Sequence, residues 1–358
     1  MLSLPAYGFI QLVESMTTLL KIIGLKCWII LLTLAGNVHS DDSVISKIAS
    51  YPMPTMGGKQ FWADESFFHK WRIQRNVFTG HCRLLDENDK RHAWGSLNEC
   101  REVLEQIKRE RHLPPMQGKA VIILHGLFRS RNSMQSMSEY LEEQGGYQVF
   151  NVSYPSTQYS IDEHARSLAS IINHLDGVEE INFVGHSMGN IVIRYFLNDL
   201  QRQFFSTNSQ GAASAPIKSK QPKFHRFVML APPNHEAQMA TFFADNIFFK
   251  TLTGESGQEL GQNWDRLEKN LATPQFEFAI IAGGKNDKKG FNPFLNGDND
   301  GTISVETTKL SGACDFTVLP VMHPFIMDNA QVQQYTLRFL QKGCFITEAQ
   351  RHQLAKEP

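Results

Sequence analysis

Ser187 is the first side chain to weigh as a reactive group. It stands in Gly185-His186-Ser187-Met188-Gly189, a G-x-S-x-G that follows the apolar run 180–184 and opens the helix-prone stretch 190–197. Paired glycines let a chain pass abruptly from strand to helix, so the serine between them is held in a strained conformation with its hydroxyl presented. The helix N-terminus beside it favours negative charge as it develops. The pentapeptide alone is moderate evidence, and the strand-turn-helix setting is what gives it weight.

A serine hydroxyl is a weak nucleophile until a base takes its proton and a carboxylate orients that base. Among 13 histidines, His323 is set apart by position, because it follows the apolar run 316–319 and precedes Pro324 and a last helix starting near Asn329. Two carboxylates could orient it. Asp300, in Gly297-Asp298-Asn299-Asp300-Gly301-Thr302, and Asp287 both lie between the run 276–281 and the histidine. Acyl transfer further needs two backbone N–H donors for the tetrahedral intermediate. Met188 supplies one, and the other is expected from His125-Gly126-Leu127-Phe128, where Leu127 is the first choice and Phe128 the alternative. The segment from Asn296 resembles half of a calcium loop, but its twelfth position is Thr307 and no helix pair flanks it. No metal and no organic cofactor is therefore expected.

The elements that must position these groups are written plainly from Lys119 onward. Short continuous apolar runs at 120–124, 147–152, 180–184, 224–230, 276–281 and 316–319 alternate with helical stretches. That is how a parallel sheet covered on both faces reads, and the order predicts an α/β, doubly wound, mostly parallel sheet with functional loops at the carboxyl ends of its strands. Helices are expected over 132–144, from the capping box Ser160-Ile161-Asp162-Glu163, from Ser187 and from near Asn329. Residues 206–223 read as a mobile surface loop. Residues 235–273, rich in phenylalanine, read as packing partly on the body and partly against a cavity or lipid.

Before this body, residues 41–117 show a loose strand at 71–78 and a capping box, Ser96-Leu97-Asn98-Glu99, opening a charged helix to about Arg111. Residues 1–40 read as a signal peptide, with Lys21 and Lys26 before an apolar core and small residues Val38 and Ser40 ahead of Asp41-Asp42. An uncleaved anchor is the alternative, and Met16 competes with Met1 as the start. Of 5 cysteines, Cys27 leaves with the leader. Export then suggests disulfides, and of the three pairings that four cysteines permit the closest in sequence is Cys82–Cys100 with Cys314–Cys344; four buried free thiols are the alternative. With 35 Lys+Arg against 36 Asp+Glu, no global field exists to hold a polyanion, so no nucleic acid is expected as partner. No other apolar run is long enough to span a bilayer, which excludes a multi-pass membrane protein.

With these residues assembled, the chain resembles the α/β-hydrolase fold family, and within it the bacterial lipases and esterases. The resemblance covers about 119–345 and rests on His125-Gly126-Leu127, Gly185-His186-Ser187-Met188-Gly189, Asn299-Asp300-Gly301 and His323. It implies hydrolysis of acyl esters by Ser187, His323 and Asp300, and its Asn-Asp-Gly pattern favours Asp300 over Asp287. It also places a lid at 235–273, which would favour long acyl chains and a transient membrane-surface contact. Leu230-Ala231-Pro232-Pro233-Asn234-His235 looks like a family loop, although Glu236 stands where a glycine is usual. The substrate is then a small-molecule or lipid ester. An acyltransferase using the same acyl-enzyme, and a non-catalytic binding protein on the same fold, are the competing readings.

Overall fold

The computed structural model describes residues 53–54, 60–210, 222–235, 254–261 and 263–355. Strands β1 (Met53–Pro54), β2 (Trp62–Phe68), β3 (Trp71–Asn76), β4 (Cys82–Leu85) and β5 (Lys90–Gly95) form an antiparallel sheet in the order β1-β5-β4-β3-β2. Helix α1 (Leu97–Glu110) follows, opened by the expected capping box: the Ser96 hydroxyl accepts from the Glu99 amide and the Glu99 carboxylate from the Ser96 amide. The main sheet begins at β6 (Gly118–Leu124) and continues through α2 (Gln135–Gly145), β7 (Gln148–Val152), α3 (Ile161–Asn173), β8 (Val178–His186) and α4 (Met188–Gln210). It ends with β9 (Lys223–Leu230), α5 (Gly254–Gly261), α6 (Trp264–Glu268), β10 (Glu277–Gly283), α7 (Val305–Thr308), β11 (Asp315–Leu319) and α8 (Ala330–Lys342).

The six strands β6 to β11 pair in parallel throughout, in the order β11-β10-β9-β8-β6-β7. Strand alternation divides their apolar side chains between two cores. Ala120, Ile122 and Leu124 of β6 join a core with Leu104 of α1, Leu168 and Ile171 of α3 and Ile191 of α4. Val121 and Ile123 face Met137 and Leu141 of α2 and Val332 and Phe339 of α8. Both faces are thus covered, which is why these strands read as unbroken apolar runs. Strand order reverses between β6 and β8, so their carboxyl ends flank the crevice where such sheets place their chemistry.

The antiparallel sheet lies on the first core: Phe67, Trp71, Ile73 and Leu84 belong to it, and the Phe67 and Phe150 rings stand 5.4 Å apart. This sheet also buries polar residues. Asp64 accepts from Gln74 Nε2 at 2.7 Å and from the Ser153 amide at 2.6 Å, with Arg72 Nη1 at 3.5 Å. Arg83 reaches Gln74 Oε1 at 2.7 Å and lies 3.8 Å over the Trp62 ring. Such groups are tolerated inside because each is partnered.

Some sequence expectations change. Cys82, Cys100, Cys314 and Cys344 are all free thiols, which corrects the expected bridges. Cys82 and Cys100 pack as small apolar side chains in the first core, and burial pushes the Cys100 thiol up to about 12, suppressing the thiolate that disulfide exchange requires. Residues 206–210 do not begin a loop, because α4 continues to Gln210; residues 211–221 of that expected loop lie outside the described residues. In the expected lid, Leu260, Trp264 and Leu267 are buried in the first core, so α5 and α6 pack on the body. Phe242, Phe243, Phe248 and Phe249 lie outside the described residues, as does the expected signal peptide at 1–40. Among the described residues no helix is long and apolar enough to cross a membrane.

Candidate active site

Ser187 sits between β8 and α4 with φ of 52°, a left-handed conformation rarely adopted by a residue with a Cβ. Such a residue costs roughly 1–3 kcal/mol, and the surroundings that hold it there are visible. Its amide donates to Leu230 O at 3.0 Å, and its carbonyl accepts from the Asn190 side chain at 2.9 Å. The flanking glycines are needed for close approach. A Cβ on Gly189 would stand 2.5 Å from Leu124 O and 2.8 Å from His125 O, and one on Gly185 would stand 2.4 Å from Asn190 Oδ1. The turn is therefore pressed against the end of β6, which brings the next loop to the serine. A Cβ on Gly126 would lie 2.9 Å from Ser187 Cβ. The Leu127 amide follows at once. Met188 opens α4, where the first amides have no intrahelical acceptor.

His323 follows β11, and four hydrogen bonds fix it or its neighbour. Its Nδ1 meets Asp300 Oδ2 at 2.6 Å, and its amide donates to Asp300 O at 2.9 Å. A carboxylate can only accept here, so Nδ1 carries the proton and Nε2 keeps its lone pair free. His186 Nε2 donates to His323 O at 3.2 Å, and Arg129 Nη2 donates to Pro324 O. The Asp300 side chain is fully buried, and its other oxygen accepts the Thr302 amide at 2.9 Å and the Ile303 amide at 2.7 Å. Gly283, ending β10, makes room for it: a Cβ there would lie 2.7 Å from Asp300 Cβ. Asp287 is placed otherwise. It is exposed, and its carboxylate accepts the Lys289 amide at 2.8 Å and the Gly290 amide at 2.7 Å, bonds that lower its pKa and close a turn.

The sequence reading did not single out His186, Asn190, Arg129 or Gly283. His186 and Asn190 flank the serine in the chain, and that adjacency was the available signal. Burial keeps His186 neutral, with its pKa well below 6.5, so it serves as a hydrogen-bond donor and adds no charge beside His323. The loop after β9 is held from behind: Arg194, buried, donates to Asn234 Oδ1 at 3.0 Å and to Ala272 O at 3.0 Å. Glu236, the departure noted above, lies outside the described residues. Among the described residues no cluster of His, Cys, Asp and Glu could hold a metal ion.

Behind the Gly126 loop, the His125 and Tyr154 rings stack at 4.1 Å, and Tyr154 meets His164 edge-on at 4.8 Å. His164 in turn reaches Ser256 of α5 at 3.1 Å. Burial lowers His125 to about 4 and His164 to about 3 from 6.5. The unfolded chain takes up these protons near pH 6.5 and the folded chain only far lower, so stability present above pH 6.5 is lost as pH falls toward 3. Each imidazole contributes on the order of 3–5 kcal/mol to that loss. Urea titrations are expected to show a plateau above pH 6.5 and a falling midpoint from there to pH 4; a flat profile over that range would refute the assignment.

This sheet, with a strained serine after β8 and an acid-histidine pair after β10 and β11, is the α/β-hydrolase fold. Residues 115–235 match the family model described as "Putative serine esterase (DUF676)". Among solved structures, the chain is similar to a Bacillus licheniformis lipase (BlEst2) at 19% identity, covering 60% of this chain and 89% of that one with a TM-score of 0.42. It is also similar to a Listeria innocua gene product, lin2722, at 16% identity, covering 63% and 95% with a TM-score of 0.42. A Staphylococcus hyicus lipase aligns at 12% identity, covering 61% and 90% with a TM-score of 0.39. No curated protein matches the chain.

Proposed function

We propose that the protein is an exported serine hydrolase that cleaves carboxylic esters with lipid-like acyl groups. One observation carries the reading: a strained Ser187 lies against the Gly126 loop, in a fold whose His323 is paired with buried Asp300 at 2.6 Å. His323 Nε2 takes the proton of the Ser187 hydroxyl as Oγ attacks the ester carbonyl. The amides of Leu127 and Met188 receive the oxyanion, and Asp300 stabilises the imidazolium that forms. His323 then protonates the departing alcohol, and water activated by the same base releases the acid from the acyl-enzyme. No step calls for a metal or organic cofactor.

The family match of residues 115–235 supports ester chemistry. Apolar substrate is supported by exposed apolar side chains on the loops that carry the site: Phe128 beside Leu127, Met322 and Phe325 around His323, and Phe294 in the loop before Asp300. Export rests on the leader at 1–40, and transient contact with a lipid surface on the phenylalanines of 235–273. The test is hydrolysis of p-nitrophenyl esters of graded acyl length by residues 41–358, with and without an added acceptor alcohol. Release of free acid, rising with acyl length, is expected. A product found only as the alcohol's ester would replace hydrolysis with acyl transfer, and failure of a fluorophosphonate to label Ser187 would overturn the reading.

A further inference from the structure

Two loops must keep register for the proposed chemistry, the Gly126 loop with its oxyanion donor and the loop bearing His323. They are far apart in the chain, and a side chain from the first reaches the second. Arg129 leaves the first loop and donates through Nη2 to Pro324 O, one residue beyond His323. Its own carbonyl accepts from Gln60 Nε2 at 2.7 Å, and its amide donates to Gly126 O at 3.2 Å, so the arginine is held at both ends. Gln60 is fixed in turn. Its Oε1 accepts from the hydroxyls of Ser156 and Thr157, each at 3.4 Å, and two residues on begins β2, anchored by the Asp64 amide donating to Ser153 O at 2.9 Å. No carboxylate pairs with Arg129 among the described residues, and its guanidinium serves the Pro324 carbonyl oxygen.

We propose that Gln60 and Arg129 form a strap by which the antiparallel sheet of residues 53–95 sets the oxyanion loop and the histidine loop at their working separation. Arg129 and Gln60 are positioning residues here: neither needs to touch substrate, and both act through Leu127 and His323. The strap gives that sheet a part in catalysis that lies outside the matched segment 115–235. It rests on the esterase reading for its catalytic consequence, but its physical content is a coupling between two loops, which can be read without substrate.

Two measurements on the full chain decide it. In hydrogen-deuterium exchange, Gln60→Ala is expected to speed exchange in peptides covering 126–129 and also in those covering 323–328, which Gln60 does not touch. Unchanged exchange at 323–328 would overturn the strap whether or not the protein hydrolyses esters. In ester kinetics, Arg129→Ala is expected to lower kcat by roughly 10- to 100-fold with KM changed little, since a misplacement of about 1 Å can cost that much. Arg129→Lys should recover part of the loss, and Gln60→Ala should cost less. The Gln60→Ala/Arg129→Ala double variant should be no worse than Arg129→Ala alone, because both cut one connection. Losses that multiply, or an Arg129→Ala kcat within about twofold of the native value, would also overturn it. A native protein without esterase activity would fail the functional reading instead, leaving exchange as the judge of the strap.

Discussion

Ser187→Ala is expected to reduce ester hydrolysis by about 10⁴- to 10⁶-fold and to end fluorophosphonate labelling, with the thermal midpoint little changed. The loss is large because the proposed mechanism makes the serine the group that forms the covalent bond, and no neighbour can replace it: Gly126, His186, Met188 and Gly189 leave no second hydroxyl at the turn. The small stability change follows from what holds the turn. Its bonds run through the Ser187 amide and carbonyl, to Leu230 O and from Asn190, and both survive loss of the hydroxyl. Residual activity near the native level would move the nucleophile elsewhere.

Asp300→Asn is the second large expected effect, a fall of about 10⁴ in kcat at neutral pH. An amide in place of the carboxylate can present an N–H to His323 Nδ1, favouring the tautomer that carries its proton on Nε2 and so removes the base. It also deletes the charge that the proposed mechanism sets against the imidazolium. Asp287→Asn is the matched control and should leave kcat within about twofold, since that side chain only closes an exposed turn. Rates at several pH values, with KM measured for each variant, separate the two carboxylates. Equal losses in both would remove Asp300 from its assigned role.

How much of this was legible in the sequence depended on which faces were apolar. The main-sheet strands announced themselves because both faces are buried, as Val121 and Ile122 illustrate by entering opposite cores. Helices α1 and α3 were legible from their capping boxes at Ser96 and Ser160. The antiparallel sheet was mostly hidden, and only the stretch near β3 was read as a strand. Its partner strands bury Asp64 and Arg83, while Arg72 and Gln74 are buried in β3 itself, so the usual alternation of apolar and polar letters is scrambled by an internal polar network. In the site, residues within motifs could be named, and those acting across the fold could not. Arg129 and Gln60 are ordinary surface letters until the chain brings residues 60, 129 and 324 together. Local spacing also could not separate Asp300 from Asp287. What distinguishes them is the room at Gly283 and the two amides that fix one Asp300 oxygen while the other faces His323.

The shared core of the two sheets bears on where this protein can be cut. Similarity draws a boundary near residue 115, yet Phe67, Trp71 and Leu84 belong to the same core as Phe150, Ile171 and Ile193. A fragment started at that boundary would expose an oily flank, so expression trimmed to the matched segment invites aggregation more than it isolates an enzyme. The two sheets share one core, and the boundary that matters for handling the protein lies ahead of β1.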